Sequence, residues 1–388
     1  MRSNSPVRGT AIAATETYLD WNATAPLRPE AAAAMSAALA RCGNPSSVHR
    51  WGRAARQTVE RARSAVGAML DALPESVVFV SGGTEANHLA LLGAGRDRIL
   101  VSTIEHDSVL RAVPEAERIP VDGEGIVALE ALDRLLAADR RPALISVMFA
   151  NNETGVTQPV AEIAALAQTY GALFHCDAVQ AAGKIDLGAV ATGADLVTLS
   201  AHKLGGPPGI GALVVSGDLQ LTPLLRGGGQ ERGRRAGTEN LVGIAGFGAA
   251  ALAARAESAV SGERIGALRD ALEAGVMAVA PEAVVLGRAV PRLPNTAAIA
   301  MPGVAAETQV IALDLDGVMV SAGAACSSGK VGPSHVLEAM GVAPDIAAST
   351  IRVSLGWAST ADDIAHFLRV WTALYRRCRG LALEARAA

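Results

Sequence analysis

The segments Leu144-Ile-Ser-Val-Met-Phe-Ala150, Val160-Ala-Glu-Ile-Ala-Ala-Leu-Ala-Gln-Thr-Tyr170 and Ala172-Leu-Phe-His175 decide the fold. Two short apolar runs flank a segment with helical periodicity, and strand–helix–strand in that order is a crossover unit of a parallel sheet. Working outward, Val77–Val80, Ile99–Ser102, Leu196–Leu199 and Ala212–Val215 also read as strands. Thr84–Leu92, Asp107–Ala112 and Leu129–Ala138 read as helices. The alternation predicts an α/β fold, a mostly parallel sheet flanked by helices, in a large domain over residues 18–257. A longer helix, about Asn240 to Glu257, leads to a smaller α+β domain over 258–388, with apolar segments near 296–300 and 308–315.

The composition narrows the function classes. Half of the 388 residues are apolar and the net charge is -4, a globular balance with no footprint for nucleic acid or an anionic membrane. No apolar run approaches the ~20 residues of a membrane helix. Residues 1–17 lack the apolar core of a signal peptide; Arg2 and Arg8, with no acid before Glu16, are compatible with a transit peptide, but the segment reads as a disordered tail. Cys42, Cys176, Cys326 and Cys378 are far apart, without the spacing of a zinc site or a disulfide framework, which fits reduced thiols in a cytoplasm.

Ligands of such sheets bind at the carboxyl ends of the strands. The polar residues there are Ser81-Gly-Gly-Thr84, Glu105-His106, Asn151-Asn-Glu153, Asp177 with Gln180, and Ser200-Ala-His-Lys203. Ser81-Gly82-Gly83-Thr84 opens a helix, whose free N–H groups suit a phosphate; an ordinary capped turn has the same look. Asp177 closes an apolar strand, where a carboxylate wants a cation such as a protonated pyridine nitrogen, or else caps the next helix. Lys203 follows an apolar strand and precedes Leu204-Gly-Gly-Pro-Pro-Gly209. A lysine held there is a Schiff-base nucleophile rather than a solvated surface group. Glycine cup, then Asp, then Lys is the layout of a lysine-bound pyridoxal phosphate site. With aromatics at only 3% of the chain, His106 is the natural ring to stack on that cofactor and to move protons. Cys326, within Val320-Ser-Ala-Gly-Ala-Ala-Cys-Ser-Ser-Gly329, has only small or polar neighbours, the setting of a presented thiol rather than a core cysteine. Arg352 alternates with apolar residues and wants a carboxylate, from a ligand or from within the chain.

Jointly these stretches resemble the cysteine desulfurases of the NifS/IscS type, within the class-V aminotransferase superfamily. The likeness runs from Tyr18-Leu-Asp-Trp-Asn-Ala-Thr-Ala-Pro26 to about Leu374. It includes Gly43-Asn-Pro-Ser-Ser-Val-His49, Asn151-Asn-Glu-Thr-Gly155, His175-Cys-Asp-Ala-Val-Gln180 and Gly227-Gly-Gly-Gln-Glu-Arg-Gly-Arg-Arg-Ala-Gly-Thr238. It implies a homodimer that takes sulfur from L-cysteine, leaving L-alanine and a persulfide for an acceptor protein such as an iron–sulfur scaffold. Lys203 would carry the cofactor, with Gly83, Thr84, Ser200 and His202 on its phosphate and Thr238 reaching in from the other subunit. Asp177 would meet the pyridine nitrogen, Gln180 and Asn152 the ring, and His106 would stack. Arg352 with Asn152 would bind the substrate carboxylate, and Cys326 would attack sulfur. One departure is the Ala-Gly-Ala-Ala before Cys326, where the family commonly has serines.

Overall fold

The computed structural model describes residues 16–188, 193–323 and 334–387, so Cys326 and residues 1–15 lie outside the described residues. The strands in chain order are β1 (Thr17–Tyr18), β2 (Val77–Val80), β3 (Arg98–Ser102), β4 (Glu117–Ile119), β5 (Ala143–Met148), β6 (Leu173–Asp177), β7 (Leu196–Ser200) and β8 (Gly211–Val215). They continue as β9 (Val284–Leu286), β10 (Thr296–Ala300), β11 (Val318–Met319), β12 (Ser321–Ala322) and β13 (Thr350–Ser354). The helices that matter for the site are α1 (Pro29–Leu39), α2 (Arg50–Ala68), α3 (Gly83–Gly93), α4 (Asp107–Leu110), α5 (Leu129–Ala138), α6 (Val160–Tyr170) and α7 (Leu241–Val279).

The seven-stranded sheet has the order β2-β8-β7-β6-β5-β3-β4. All its described pairings are parallel except those of β8, which is antiparallel to both neighbours. The reason is connection length: β8 follows β7 after a short Gly/Pro turn, whereas a parallel return needs a crossover of a dozen residues or more. The interior strand β5 is buried at every position. Its Ile145 and Val147 enter the core with Phe174 and Leu199, while Leu144 enters the opposite core with Val80, Leu89 and Leu196. Each such fully buried side chain contributes about 1.5–3 kcal/mol. The pleat thus seals both faces and leaves the strand ends as the place for polar chemistry.

A second sheet, β12-β13-β10-β9, is antiparallel throughout and carries Arg352 opposite Ala298 and Ser321. Its own core gathers Leu272, Ile299, Val353, Phe367 and Trp371, and Leu19 joins it from the N-terminal segment. Thr17, read as tail from the sequence, is in β1, which pairs with β11. Helical structure continues past Glu257 to Val279, but the halves Leu241–Glu257 and Val260–Val279 of α7 meet at a bend of 74°, so the expected end at Glu257 marks a break in the helix.

Candidate active site

The strand ends converge on a cavity of about 410 Å³. Gly83, Thr84, His106, Asn152, Asp177, Gln180, Ser200, His202, Lys203 and Arg352 all line it. Thr238 is exposed and is not among the lining residues of its own chain.

The glycine cup opens α3, whose N-cap residue Gly82 provides no side-chain cap. The first-turn N–H groups and the positive end of the helix therefore face an anion site lined by Thr84, Ser200 and His202. Glycine at 211 makes this possible: a Cβ there would come within 2.7 Å of the Gly82 backbone. Glu85 ties the cup to the Arg-rich stretch, accepting from Ser81 N at 2.8 Å and from Arg235 Nε at 2.9 Å. A buried, bidentate Arg63–Glu231 pair anchors the same stretch, and Glu231 and Arg232 adopt left-handed φ values of 47° and 58°.

Asp177 ends β6, nearly buried. Its Oδ1 accepts from Val179 N at 3.0 Å and its Oδ2 from Asn87 Nδ2 at 2.8 Å. Asn87 Nδ2 also donates to Ser108 Oγ at 2.8 Å, and Ser108 Oγ lies 2.8 Å from His106 Nδ1. Carboxylate, amide, hydroxyl and imidazole thus form one chain. Because Ser108 N–H donates to Nδ1, the neutral ring carries its proton on Nε2. Burial, partly offset by the Asp177 carboxylate, pushes His106 below the ordinary imidazole value.

Lys203 sits in the turn after β7 and donates to Asn22 O at 2.6 Å and Ala23 O at 2.9 Å. Beside it, burial and then the Lys203 charge push His202 down to about 4, so its ring is neutral near pH 7. Arg352 takes the internal carboxylate partner: it pairs with Asp20 at 2.7 Å and donates to Asn152 O at 2.9 Å, and it also lines the cavity; among the described residues its Nε is buried without a hydrogen-bond partner.

Three of the strand-end polar residues turn away. Asn151 folds back on Glu153 N and Thr154 N, and Glu153 accepts from Ser334. Glu105, fully buried, accepts from Met148 N at 2.8 Å, and burial raises it to about 8. Sequence reasoning did not single out Asn22, Asn87, Ser108, Asp20 or Lys184. Asn22 and Asp20 stood inside a quoted stretch, but Asn87 and Lys184 carry no local signal.

A family model described as aminotransferase class-V matches residues 17–367. A cysteine desulfurase of Cereibacter sphaeroides is 44% identical over 382 residues, 94% of this chain and 97% of the relative. The chain belongs to the class-V aminotransferases, among their cysteine desulfurases. A solved NifS-like protein from Rickettsia africae superposes with a TM-score of 0.86 at 36% identity, over 93% of this chain and 99% of that one. SspA, solved in complex with cysteine, has a TM-score of 0.75 at 28% identity over 87% and 98%. Cysteine desulfurases work with pyridoxal phosphate, and the cavity fits that cofactor. An uncapped helix start, a carboxylate fixed by two donors, an imidazole and a lysine amine line one volume that accommodates a small ligand.

Proposed function

We propose that the cavity takes L-cysteine as substrate, releases L-alanine, and leaves the sulfur as a persulfide on Cys326. The observation that carries the site assignment is the convergence of Lys203, Asp177, His106 and Arg352 on one cavity. When bound, pyridoxal phosphate supplies an electron sink for the pair released as the α-hydrogen leaves. Lys203 is the amine that would hold the cofactor. The start of α3, with Thr84, Ser200 and His202, holds the phosphate, and Thr238 of a second subunit completes that cradle in a homodimer. Asp177 holds the proton of the ring nitrogen, Gln180 and Asn152 orient the ring, and His106 stacks and moves protons. A ring held below its ordinary pKa gives up readily a proton it acquires.

Arg352 receives the substrate carboxylate beside Asn152. The Cys326 thiolate then bonds to the substrate sulfur as the Cβ–S bond breaks, the bond pair going to carbon, which is protonated to give alanine. The other thiols suit this less. Cys176 is fully buried and its thiol is pushed well above the ordinary range by burial, while Cys42 is on a different surface. Domains over 18–257 and 258–388 would place Lys203 and Cys326 on different bodies. The acceptor we assign is a cytoplasmic sulfur-carrying protein, such as an iron–sulfur scaffold.

Alanine release from cysteine, with mass spectrometry of the Cys326 peptide, tests this. Cys326→Ala should keep the visible band of bound cofactor, make almost no alanine and carry no extra sulfur. Cys176→Ala and Cys378→Ala should stay active. Alanine production by Cys326→Ala at the wild-type rate overturns the persulfide step.

A further inference from the structure

One lysine beside the site has no part in the reaction as assigned. Lys184 Nζ donates to Gln180 Oε1 at 2.7 Å and to Asn22 Oδ1 at 2.7 Å. Among the described residues no carboxylate forms an ion pair with it; the charges that act on it are Lys203 and Arg352, both positive. A surface ion-pair role is therefore excluded, and both contacts are to neutral amides that continue into the site. Gln180 Nε2 donates to Asn22 O at 3.0 Å, the carbonyl that also receives Lys203. Asn22 Nδ2 reaches Asn152 O at 3.3 Å, the carbonyl that Arg352 also holds.

We propose that Lys184 is a positioning residue of this site, holding Gln180 by its Oε1 so that Gln180 Nε2 meets the Asn22 backbone carbonyl that also receives Lys203. An amide has two orientations of nearly equal shape; the Lys184 donor on Oε1 and the Asn22 carbonyl opposite Nε2 together disfavour the flipped one. Burial, with Lys203 and Arg352 nearby, pushes the Lys184 ammonium well below its ordinary value. Protonated or neutral, the group keeps the two N–H donors that the two amides need, so the positioning survives across pH.

The inference rests on the functional reading above. The test uses the pyridoxal-phosphate holoenzyme of Lys184→Met, Gln180→Leu and the double variant. Lys184→Met should bind the cofactor and keep the wild-type circular dichroism. The pH midpoint of its visible band should shift by about half a unit or more. Its kcat should fall about ten- to a hundredfold, the range for losing a charge-assisted bond, with KM for cysteine within about threefold. The double variant should lose less than the sum of the two single losses, because both changes remove the Lys184–Gln180 contact. An unchanged midpoint and kcat in Lys184→Met, or fully additive losses, overturns the proposal. If Lys184→Met does not fold, Gln180→Leu carries the test: a shifted midpoint supports the contact and an unshifted one overturns it. A wild-type protein with no visible band would defeat the functional reading itself, a separate outcome.

Discussion

Replacing Asn87 by Leu tests whether the chain from Asp177 to His106 holds the site. Asn87 is 1% exposed, and leucine matches its size while removing both donors. The bond to the Asp177 carboxylate is charge-assisted, worth about 1.5–3 kcal/mol, and the bond to Ser108 Oγ about 1 kcal/mol. Asn87 Oδ1 is itself buried without a partner, so its removal returns about 1 kcal/mol. The folded state should lose about 1.5–3 kcal/mol, read as a lower denaturant midpoint with an unchanged slope. If only the charge-assisted bond is felt in the transition state, kcat/KM falls about ten- to a hundredfold, at about 1.4 kcal/mol per factor of ten. Asn87→Asp is the sharper control: isosteric, it sets a second carboxylate against Asp177, and it should lose more activity than leucine. The assay is alanine release by each holoenzyme. Leucine within twofold of wild type, or aspartate better than leucine, would refute the reasoning.

Two further outcomes are expected. A dimer of one Thr238→Ala subunit and one Lys203→Ala subunit should recover about half of the wild-type activity, because one site keeps both groups; no recovery in mixed dimers would place Thr238 elsewhere. Stability should also fall at both ends of the pH range. His175, between Ser146 and Thr198 hydroxyls, is pushed down to about 4 by burial. Its contribution is present above pH 6.5 and lost as pH falls toward 4, about 3 kcal/mol. Glu105 is raised by burial to about 8, so its contribution is present below 4.5 and lost as pH rises through 8. Melting curves should therefore show His175→Asn flattening the acid side and Glu105→Gln the alkaline side; unchanged slopes in both would contradict these burials.

The site was legible where position along a strand decides function. β2, β3, β5, β6 and β7 end within a residue or two of their predicted bounds, and the side chains just beyond them meet because the sheet aligns its carboxyl ends. The direction of β8 was not, since alternation of apolar runs says nothing of orientation; only the short turn after Lys203 forces it back. Nor were the residues that hold the site. Asp20 meets Arg352 across 332 positions and Asn22 meets Lys184 across 162, so no window along the chain contains both partners.

Residue type hides them as well. Asn22 is an amide in a loop, where turn formation is the ordinary explanation. Here its carbonyl takes Lys203 and its side-chain oxygen takes Lys184, while its side-chain nitrogen meets Thr296 of the small sheet at 2.8 Å. Those partners come from the two sheets and the turns that follow them. A functional group announces itself by standing where an apolar pattern ends; a group that supports it obeys every local rule and differs only in its partners. The segment 17–26 can thus look like an entry strand and a turn, yet it joins the lysine end of the large sheet to the arginine of the small one.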